Sequence, residues 1–407
     1  MKKVLMLGGA YAQIPAIKRA KEMGYYVITC DYCPNNPGHR FADEYYNVST
    51  TDKESVLELA MKLKVDGIVC YASDPAASTA AYVCEKMGFP TNPYDSVKIL
   101  TNKDLFRDFL RTNGFLVPKS KGYASIEDAK LEISTFKLPV MIKPVDSSGS
   151  KGVSKLDDIN NLENQVENAL KYSRIKRFII EEYVEGHTMS FDGFSVDGDL
   201  KFWCFAEDLF DLNSNNPFVP TGVIMPDILP SYIENKIVKE INRALDLLDM
   251  KTGAYNFDIR VDDNGDVYLM EIGPRNGGDF IPQVTHYATG VDLVTYTIKA
   301  AMGENCNDLS MVEAKGFWGI ALMHSAKKSG ILENIEIDED FRKNNIVEYH
   351  QYCEIGDFIH NLYGSSDIFG TMILKFDSIE EATYKMNNLD NYVRFNIKEQ
   401  SKKNIEA

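Results

Sequence analysis

Two carboxylates and an arginine stand close together late in the sequence. Asp258 lies in Asn256-Phe257-Asp258-Ile259-Arg260, Glu271 in Tyr268-Leu269-Met270-Glu271-Ile272, and Arg275 in Gly273-Pro274-Arg275-Asn276-Gly277-Gly278. Apolar residues flank both acids and Asp263-Asn264-Gly265 is a turn signal, so the stretch reads as a β-hairpin. Antiparallel strands joined by a short turn bring the two acids to one face, close enough to share a divalent cation such as Mg²⁺. Arg275, just past the second strand, is placed to meet a carboxylate or phosphate with its planar fork. The plainer alternative is an exposed hairpin with solvated acids; the apolar flanks and the glycines after Arg275 speak against it.

A second set of residues suits anions. Lys143 ends the apolar run Pro139-Val140-Met141-Ile142-Lys143, and a lysine there is costly to bury unless it meets negative charge. Soon after comes Ser147-Ser148-Gly149-Ser150-Lys151-Gly152, whose small residues let backbone N–H and hydroxyl groups approach phosphate oxygens. By themselves, a phosphate grip and a snorkelling lysine beside an ordinary turn are equally good readings. Phe178-Ile179-Ile180-Glu181-Glu182-Tyr183-Val184 offers apolar side chains to sandwich a flat base and strand backbone to read its edge, as any edge strand would.

These residues need a scaffold, and the hydrophobic pattern describes one. The first ninety residues alternate short apolar strands (4–7, 26–30, 67–71) with amphipathic helices (from Ile14, 56–63, 75–87), which implies a parallel sheet with right-handed crossovers. Residues 91–118 read as a helical connection between Pro93 and Pro118. Residues 119–185 read as a small α+β unit with strands at 139–145 and 177–184 and a helix at 162–172. Further strands follow at 188–196 and 201–207, then a long helix carrying Ile233, Ile237, Ile241 and Leu245 on one face. The tail from about Gly316 reads as another α+β unit. The expected class is therefore α/β and α+β in several domains.

Bulk properties exclude several functions. The formal net charge is −16 over 407 residues, which repels nucleic acid and anionic membrane. No run approaches the roughly 20 apolar residues of a membrane span. Seven scattered cysteines argue for a reducing, cytoplasmic setting, and no signal peptide opens the sequence. Cys30 and Cys33 have no second pair nearby and read as strand-end packing. Gly8-Gly9-Ala10-Tyr11-Ala12-Gln13 does not fit G-x-G-x-x-G, although Asp31 stands where a ribose-binding acid would, so NAD is not expected. Walker A, H-E-x-x-H and G-x-S-x-G motifs are absent from the sequence. His187 and His286 lack metal-ligand spacing and read as packing or surface.

Taken in order, the segments resemble the ATP-grasp superfamily. The resemblance covers residues 1–92 as its Rossmann-like preceding domain and 93–305 as the grasp, with a flexible lid at about 119–185. Residues 306–407 resemble, more faintly, the C-terminal domain of L-amino acid ligases through Ser329-Gly330-Ile331-Leu332-Glu333 and Glu380-Glu381-Ala382. The resemblance implies ATP and Mg²⁺ as cofactors. It implies phosphate contacts for Lys103 and Lys143, and a flap over the phosphates for Ser147, Ser148, Gly149, Ser150, Lys151 and Gly152. It makes Glu181, Glu182, Tyr183 and Val184 the adenine-reading hinge, Asp258 and Glu271 the metal ligands, and Arg275 the arginine that steadies an acyl phosphate. Two positions depart from the pattern. Thr188 replaces a ribose-binding glutamate, and Gly273 replaces an asparagine metal ligand for which Asn276 or Asn256 would have to compensate.

The implied reaction is ATP-dependent coupling of a small-molecule carboxylate to an amine through an acyl phosphate. A homodimer would be ordinary for such an enzyme. Two rival readings stay open: a bicarbonate-using enzyme akin to carbamoyl phosphate synthetase, and a nucleotide-binding regulator without ligase activity, favoured by Thr188 and Gly273.

Overall fold

The opening residues fold as their alternation of apolar strands and amphipathic helices requires. In the computed structural model, which describes residues 1–399, strand Lys3–Leu7 lies between the parallel strands Tyr26–Cys30 and Gly67–Cys70. A short strand, Glu44–Tyr46, extends the sheet beyond Tyr26–Cys30. It was not foreseen, because three residues give no period to read. Alternate side chains fill two cores. Leu5, Leu7 and Ile28 pack with Val56 and Val83, while Val4, Met6 and Val27 pack with Ile17 and, from far along the chain, Val294 and Ile298.

The glycine turn after the first strand is held by the protein's own groups. Gly9 N–H donates to Asp31 Oδ2 at 3.2 Å, and the same carboxylate accepts from Cys33 N–H and Asn36 Nδ2. A Cβ on Gly9 would lie 2.1 Å from the His39 ring, so an imidazole packs where a dinucleotide fold would admit phosphate. Cys30 is buried, and burial, with Asp31 adding to it, pushes its thiol up to about 12, which makes it inert.

Contacts gather the chain into two compact units, the first comprising residues 1–122, 184–204 and 228–313. Beyond the parallel sheet, this unit holds the antiparallel strands His187–Val196, Gly253–Val261 and Val267–Gly273, with Gly253–Val261 in the middle. Helix Ser231–Leu247 buries Ile233, Ile237, Ile241, Ala244 and Leu245, the expected stripe.

The second unit comprises residues 123–183, 205–227 and the described chain from 314 onward. In it, strand Val140–Pro144 pairs with Ser154–Leu156 on one side and Phe178–Glu182 on the other, both antiparallel. Val140, Ile142, Phe178 and Ile180 face helix Leu162–Tyr172 through Leu162, Val166 and Ala169. Farther along, strands Pro220–Met225, Phe317–Met323, Gly370–Phe376 and Ile346–Gln351 pair in that order. Strand Gly330–Ile337 pairs with Phe358–Ile359 and Val393–Glu399. Helix Ile379–Asn387 contributes Ala382 and Met386 to the core beneath. Among the described residues, no helix is long and apolar enough to cross a membrane.

Candidate active site

The acidic hairpin forms because its turn is well capped. Asp262 Oδ1 accepts the N–H groups of Asn264 and Asp266 at 2.9 Å each, and Gly265 takes φ +74°, a conformation glycine adopts without strain. The register that follows sets Asp258 directly opposite Glu271, so both side chains leave the sheet on one face. The ladder then shifts by a residue between Asp258 and Ile259, a bulge of the kind that re-aims side chains at functional sites.

Lys103, the first residue of helix Lys103–Thr112, reaches this face and meets Glu271 at 2.8 Å. Burial alone would lower the affinity of its ammonium for the proton. Glu271, Asp74 and Asp258 outweigh that and raise it, so the group is firmly cationic. A pair of facing carboxylates suits Mg²⁺, which takes one or two carboxylates and keeps water or phosphate oxygens for its other positions. Among the described residues, no group of three or more His, Cys, Asp or Glu is arranged to hold a metal ion.

Arg275 is held from several sides. Its Nη1 donates to Asn256 Oδ1 and to the Asn276 carbonyl, both at 3.0 Å, and its Nη2 donates to Asp74 Oδ2 at 2.5 Å. Asn256 passes the connection on, since its Nδ2 donates to Asp192 Oδ1 at 3.2 Å. Asp192 also accepts the Gly277 N–H on both oxygens, at 2.8 and 3.0 Å, pinning the loop that follows Arg275. Burial pushes Asp192 up to about 7, against the pull of the Gly277 N–H, Arg275 and Asn256. For Arg275, burial works against the charge, but Asp74, Asp192 and Glu271 prevail and raise its pKa. The same loop contains two consecutive left-handed residues, Asp279 (φ 51°) and Phe280 (φ 67°). Such strain collects at functional loops.

Asp74 reaches Arg275 through a strained approach. Ala72 takes φ 51°, and Gln13 Nε2 donates to the carbonyls of Tyr71 at 3.0 Å and Ala72 at 3.4 Å, anchoring the loop that delivers Asp74 to the start of helix Asp74–Met87. Nothing in its sequence context singles out Asp74, since Asp-Pro reads simply as a helix start. Asp192 carried a signal that went unread. A carboxylate in the apolar strand Ser190-Phe191-Asp192-Gly193-Phe194 invites the argument already applied to Lys143.

The expectation that Asn256 or Asn276 could take over from the missing asparagine at 273 does not hold. Asn256 spends both ends of its amide on Arg275 and Asp192, while Asn276 is fully buried with its Oδ1 accepting from the Thr297 hydroxyl at 2.7 Å. Gly273 itself has a steric reason. A Cβ there would lie 2.8 Å from Asp74 Oδ1 and 3.0 Å from Arg275 Cζ. Thr188 lies opposite Arg260 in the neighbouring strand pair, and Arg260 Nη1 donates to the Val184 carbonyl at 2.5 Å. His187 and His286 are exposed.

The second unit holds the other candidate residues. Lys143 and Glu181 project from the same face of adjacent strands, because Lys143 stands opposite Ile179, two residues before Glu181. They form an ion pair in which the Glu181 side chain is 1% exposed and that of Lys143 16%. Glu182 accepts the Lys137 N–H at 2.8 Å, and Tyr183 N–H donates to the Pro139 carbonyl at 3.0 Å. The serine-glycine loop is tied down within its unit. Ser147 Oγ donates to the Lys151 carbonyl at 3.0 Å, Ser150 Oγ to the Phe218 carbonyl at 2.7 Å, and Asn216 Nδ2 to the Ser150 carbonyl at 3.1 Å. The Gly149 carbonyl accepts the Ser365 N–H at 3.1 Å, and a Cβ on Gly149, which has φ +66°, would lie 2.0 Å from Ser365 Oγ. Only glycine fits there.

Comparison with known proteins agrees with this architecture. Residues 136–283 match the model of the ATP-grasp domain family. The large chain of carbamoyl phosphate synthase from Clostridium botulinum is 24% identical over 330 residues, which is 76% of this chain and 30% of that protein. This chain thus spans under a third of that relative's length. Among solved structures, an L-amino acid ligase from Bacillus licheniformis superposes with a TM-score of 0.81 at 20% identity, covering 98% of this chain and 99% of that one. The biotin carboxylase domain of 2-oxoglutarate carboxylase from Hydrogenobacter thermophilus, solved with MgADP and bicarbonate, superposes with a TM-score of 0.74 at 18% identity, covering 98% and 91%. The shared fold extends over nearly the whole chain, and the match to the ATP-grasp domain family falls on residues 136–283.

Proposed function

We propose that the chain is an ADP-forming ligase that activates a carboxylate as an acyl phosphate and joins it to an amine. The observation that carries this reading is the facing pair Asp258–Glu271 with Lys103 on Glu271 and Arg275 beyond the same strand. Phosphoryl transfer to a carboxylate brings anions together, so the chemistry is mostly positioning and charge compensation. Asp258 and Glu271 would hold Mg²⁺, which when bound neutralises phosphate charge. Lys103 and Lys143 would contact phosphate oxygens, and Ser147, Ser148, Gly149, Ser150, Lys151 and Gly152 would cover them and keep water out. Glu181, Glu182, Tyr183, Val184 and Thr188 would line the nucleoside end. Arg275 would bind the reacting carboxylate and steady the oxyanion that forms when the amine attacks. Amino acids are the substrate class supported by the L-amino acid ligase likeness.

The test is ADP release from Mg·ATP over pairs drawn from the twenty protein amino acids, with mass spectrometry of the products. An amide formed in step with ADP supports the reading, and ATP binding without substrate-stimulated ADP release contradicts it. The likeness to carbamoyl phosphate synthase favours a second reading, in which bicarbonate is the carboxylate. Bicarbonate-dependent ADP release would select it.

A further inference from the structure

The serine-glycine loop is fastened through one side of its backbone. The carbonyls of Gly149, Ser150 and Lys151 all accept hydrogen bonds, from Ser365 N–H at 3.1 Å, Asn216 Nδ2 at 3.1 Å and Ser147 Oγ at 3.0 Å. By contrast, the N–H groups of Ser148, Gly149, Ser150, Lys151 and Gly152 donate to no group among the described residues. A trans peptide unit points its C=O and its N–H in opposite directions. Holding those three carbonyls therefore turns the N–H groups of Ser150, Lys151 and Gly152 the other way. Gly149 and Ser150 are also consecutive left-handed residues, with φ +66° and +55°. Turn conformations of this kind gather successive N–H groups into a concavity that suits an anion.

Three segments meet at Asn216, which is 7% exposed. Both hydrogens of its amide are spent, on the Ser150 carbonyl and on the Tyr363 carbonyl at 2.8 Å, while its Oδ1 accepts the Phe218 N–H at 3.2 Å. The Phe218 carbonyl in turn takes the Ser150 hydroxyl at 2.7 Å. The stretch from Tyr363 to Ser365 is itself fixed, because the N–H groups of Tyr363 and Gly364 both donate to Asp367 Oδ2 at 2.9 Å. It lies so close to the loop that a Cβ on Gly149 would sit 2.0 Å from Ser365 Oγ and one on Gly364 2.8 Å from Lys151 Cγ. We propose that Asn216 is a positioning residue: it latches the loop by the Ser150 carbonyl to Tyr363–Ser365, so that the N–H groups of Ser150, Lys151 and Gly152 are presented to the phosphates of ATP. This inference rests on the reading above that the loop covers those phosphates. It gives a segment well beyond residue 283, where the family match ends, a part in nucleotide binding.

Binding measurements on the full-length protein test the latch apart from catalysis. Asn216→Asp keeps the size of the side chain and an acceptor for the Phe218 N–H, but sets a carboxylate oxygen against the Ser150 and Tyr363 carbonyls. By calorimetry, Mg·ATP should bind about tenfold or more weakly, the worth of one or two hydrogen bonds to a charged group. Adenosine, which has no phosphate, should keep its affinity within about twofold, read by competition with ATP. Gly149→Ala, which drives a methyl onto Ser365 Oγ, should also weaken Mg·ATP. Adding Ser365→Gly clears that space and keeps the N–H for Gly149, and should recover at least about threefold of the loss. Unchanged or tighter Mg·ATP binding in Asn216→Asp overturns the inference. Equal weakening of ATP and adenosine also overturns it, since Asn216 would then only support the fold. Should Asn216→Asp fail to fold, the Gly149 variants decide, and a double variant no better than Gly149→Ala alone overturns the latch. All these results leave the ligase reading intact, because that reading is judged by amide formed with ADP in the wild type. A wild-type protein that binds no Mg·ATP removes the ligase reading and this inference together.

Discussion

Each unit of the molecule has a lysine paired with a glutamate, and the two pairs are built differently. In the second unit, Lys143 meets a Glu181 side chain that is 1% exposed, one positive charge balanced by one negative. In the first, Lys103 meets a Glu271 side chain that is 27% exposed, and Asp258 and Asp74 also act on the lysine. The first arrangement carries more acid than its cations cancel and suits an added metal ion. The second is closed on itself, and breaking it strands a buried charge. One pair therefore suits an added cation, and the other is a closed, neutral ion pair within its strands.

Removing the acids should have the largest effect. Asp258→Asn with Glu271→Gln takes away the proposed metal ligands, and Mg²⁺-dependent ADP release should drop by at least about 10³-fold with little change in melting temperature. A double variant that turns over at the wild-type rate would break the contrast at its first unit.

The lysines should separate on stability. Lys143→Met leaves Glu181 buried without its partner and should cost about 3–5 kcal/mol, read as a loss of several degrees in Tm. Adding Glu181→Leu should recover much of that loss. Lys103→Met leaves a more exposed glutamate among other acids, so its Tm should fall by less and its KM for ATP should rise more. Equal Tm losses from the two lysine variants would erase the distinction.

A smaller, pH-dependent effect would sharpen the account of the first unit. Asp192 is pushed up to about 7 by burial, above the ordinary range of about 3.9 expected in the unfolded chain. Between those values the folded protein holds a proton that the unfolded chain has released, so this group lowers stability as pH rises from about 4 to 7 and adds no further change above 7. Asp192→Asn removes the ionisation. The Tm of the variant relative to wild type should therefore climb by a few degrees across that window and then level off. A constant difference from pH 4 to 8 would show that Asp192 is already ionised throughout.

What could be read beforehand divides along physical lines. The parallel sheet, the acidic hairpin and the helix of Ile233, Ile237 and Ile241 were legible because local periodicity and turn chemistry specify them. The facing of Asp258 and Glu271 followed from hairpin geometry alone. The partners of Arg275 were not legible, because Asp74 is 201 residues away and no local pattern encodes that meeting. Glu181 was expected at a base-reading hinge, yet its side chain turns to Lys143, since strand register decides which face it takes. Gly273 looked like a lost ligand until the space beside it proved to be taken by Asp74 and Arg275.

The most direct test of the central claim follows oxygen. With the carboxylate substrate labelled with ¹⁸O, an acyl phosphate route moves one labelled oxygen from the acid into the released inorganic phosphate, because the acyl carbon–oxygen bond breaks when the amine attacks. The account predicts one ¹⁸O per phosphate, matched by one amide formed. Phosphate without label, in the presence of substrate-stimulated ADP release, would contradict it.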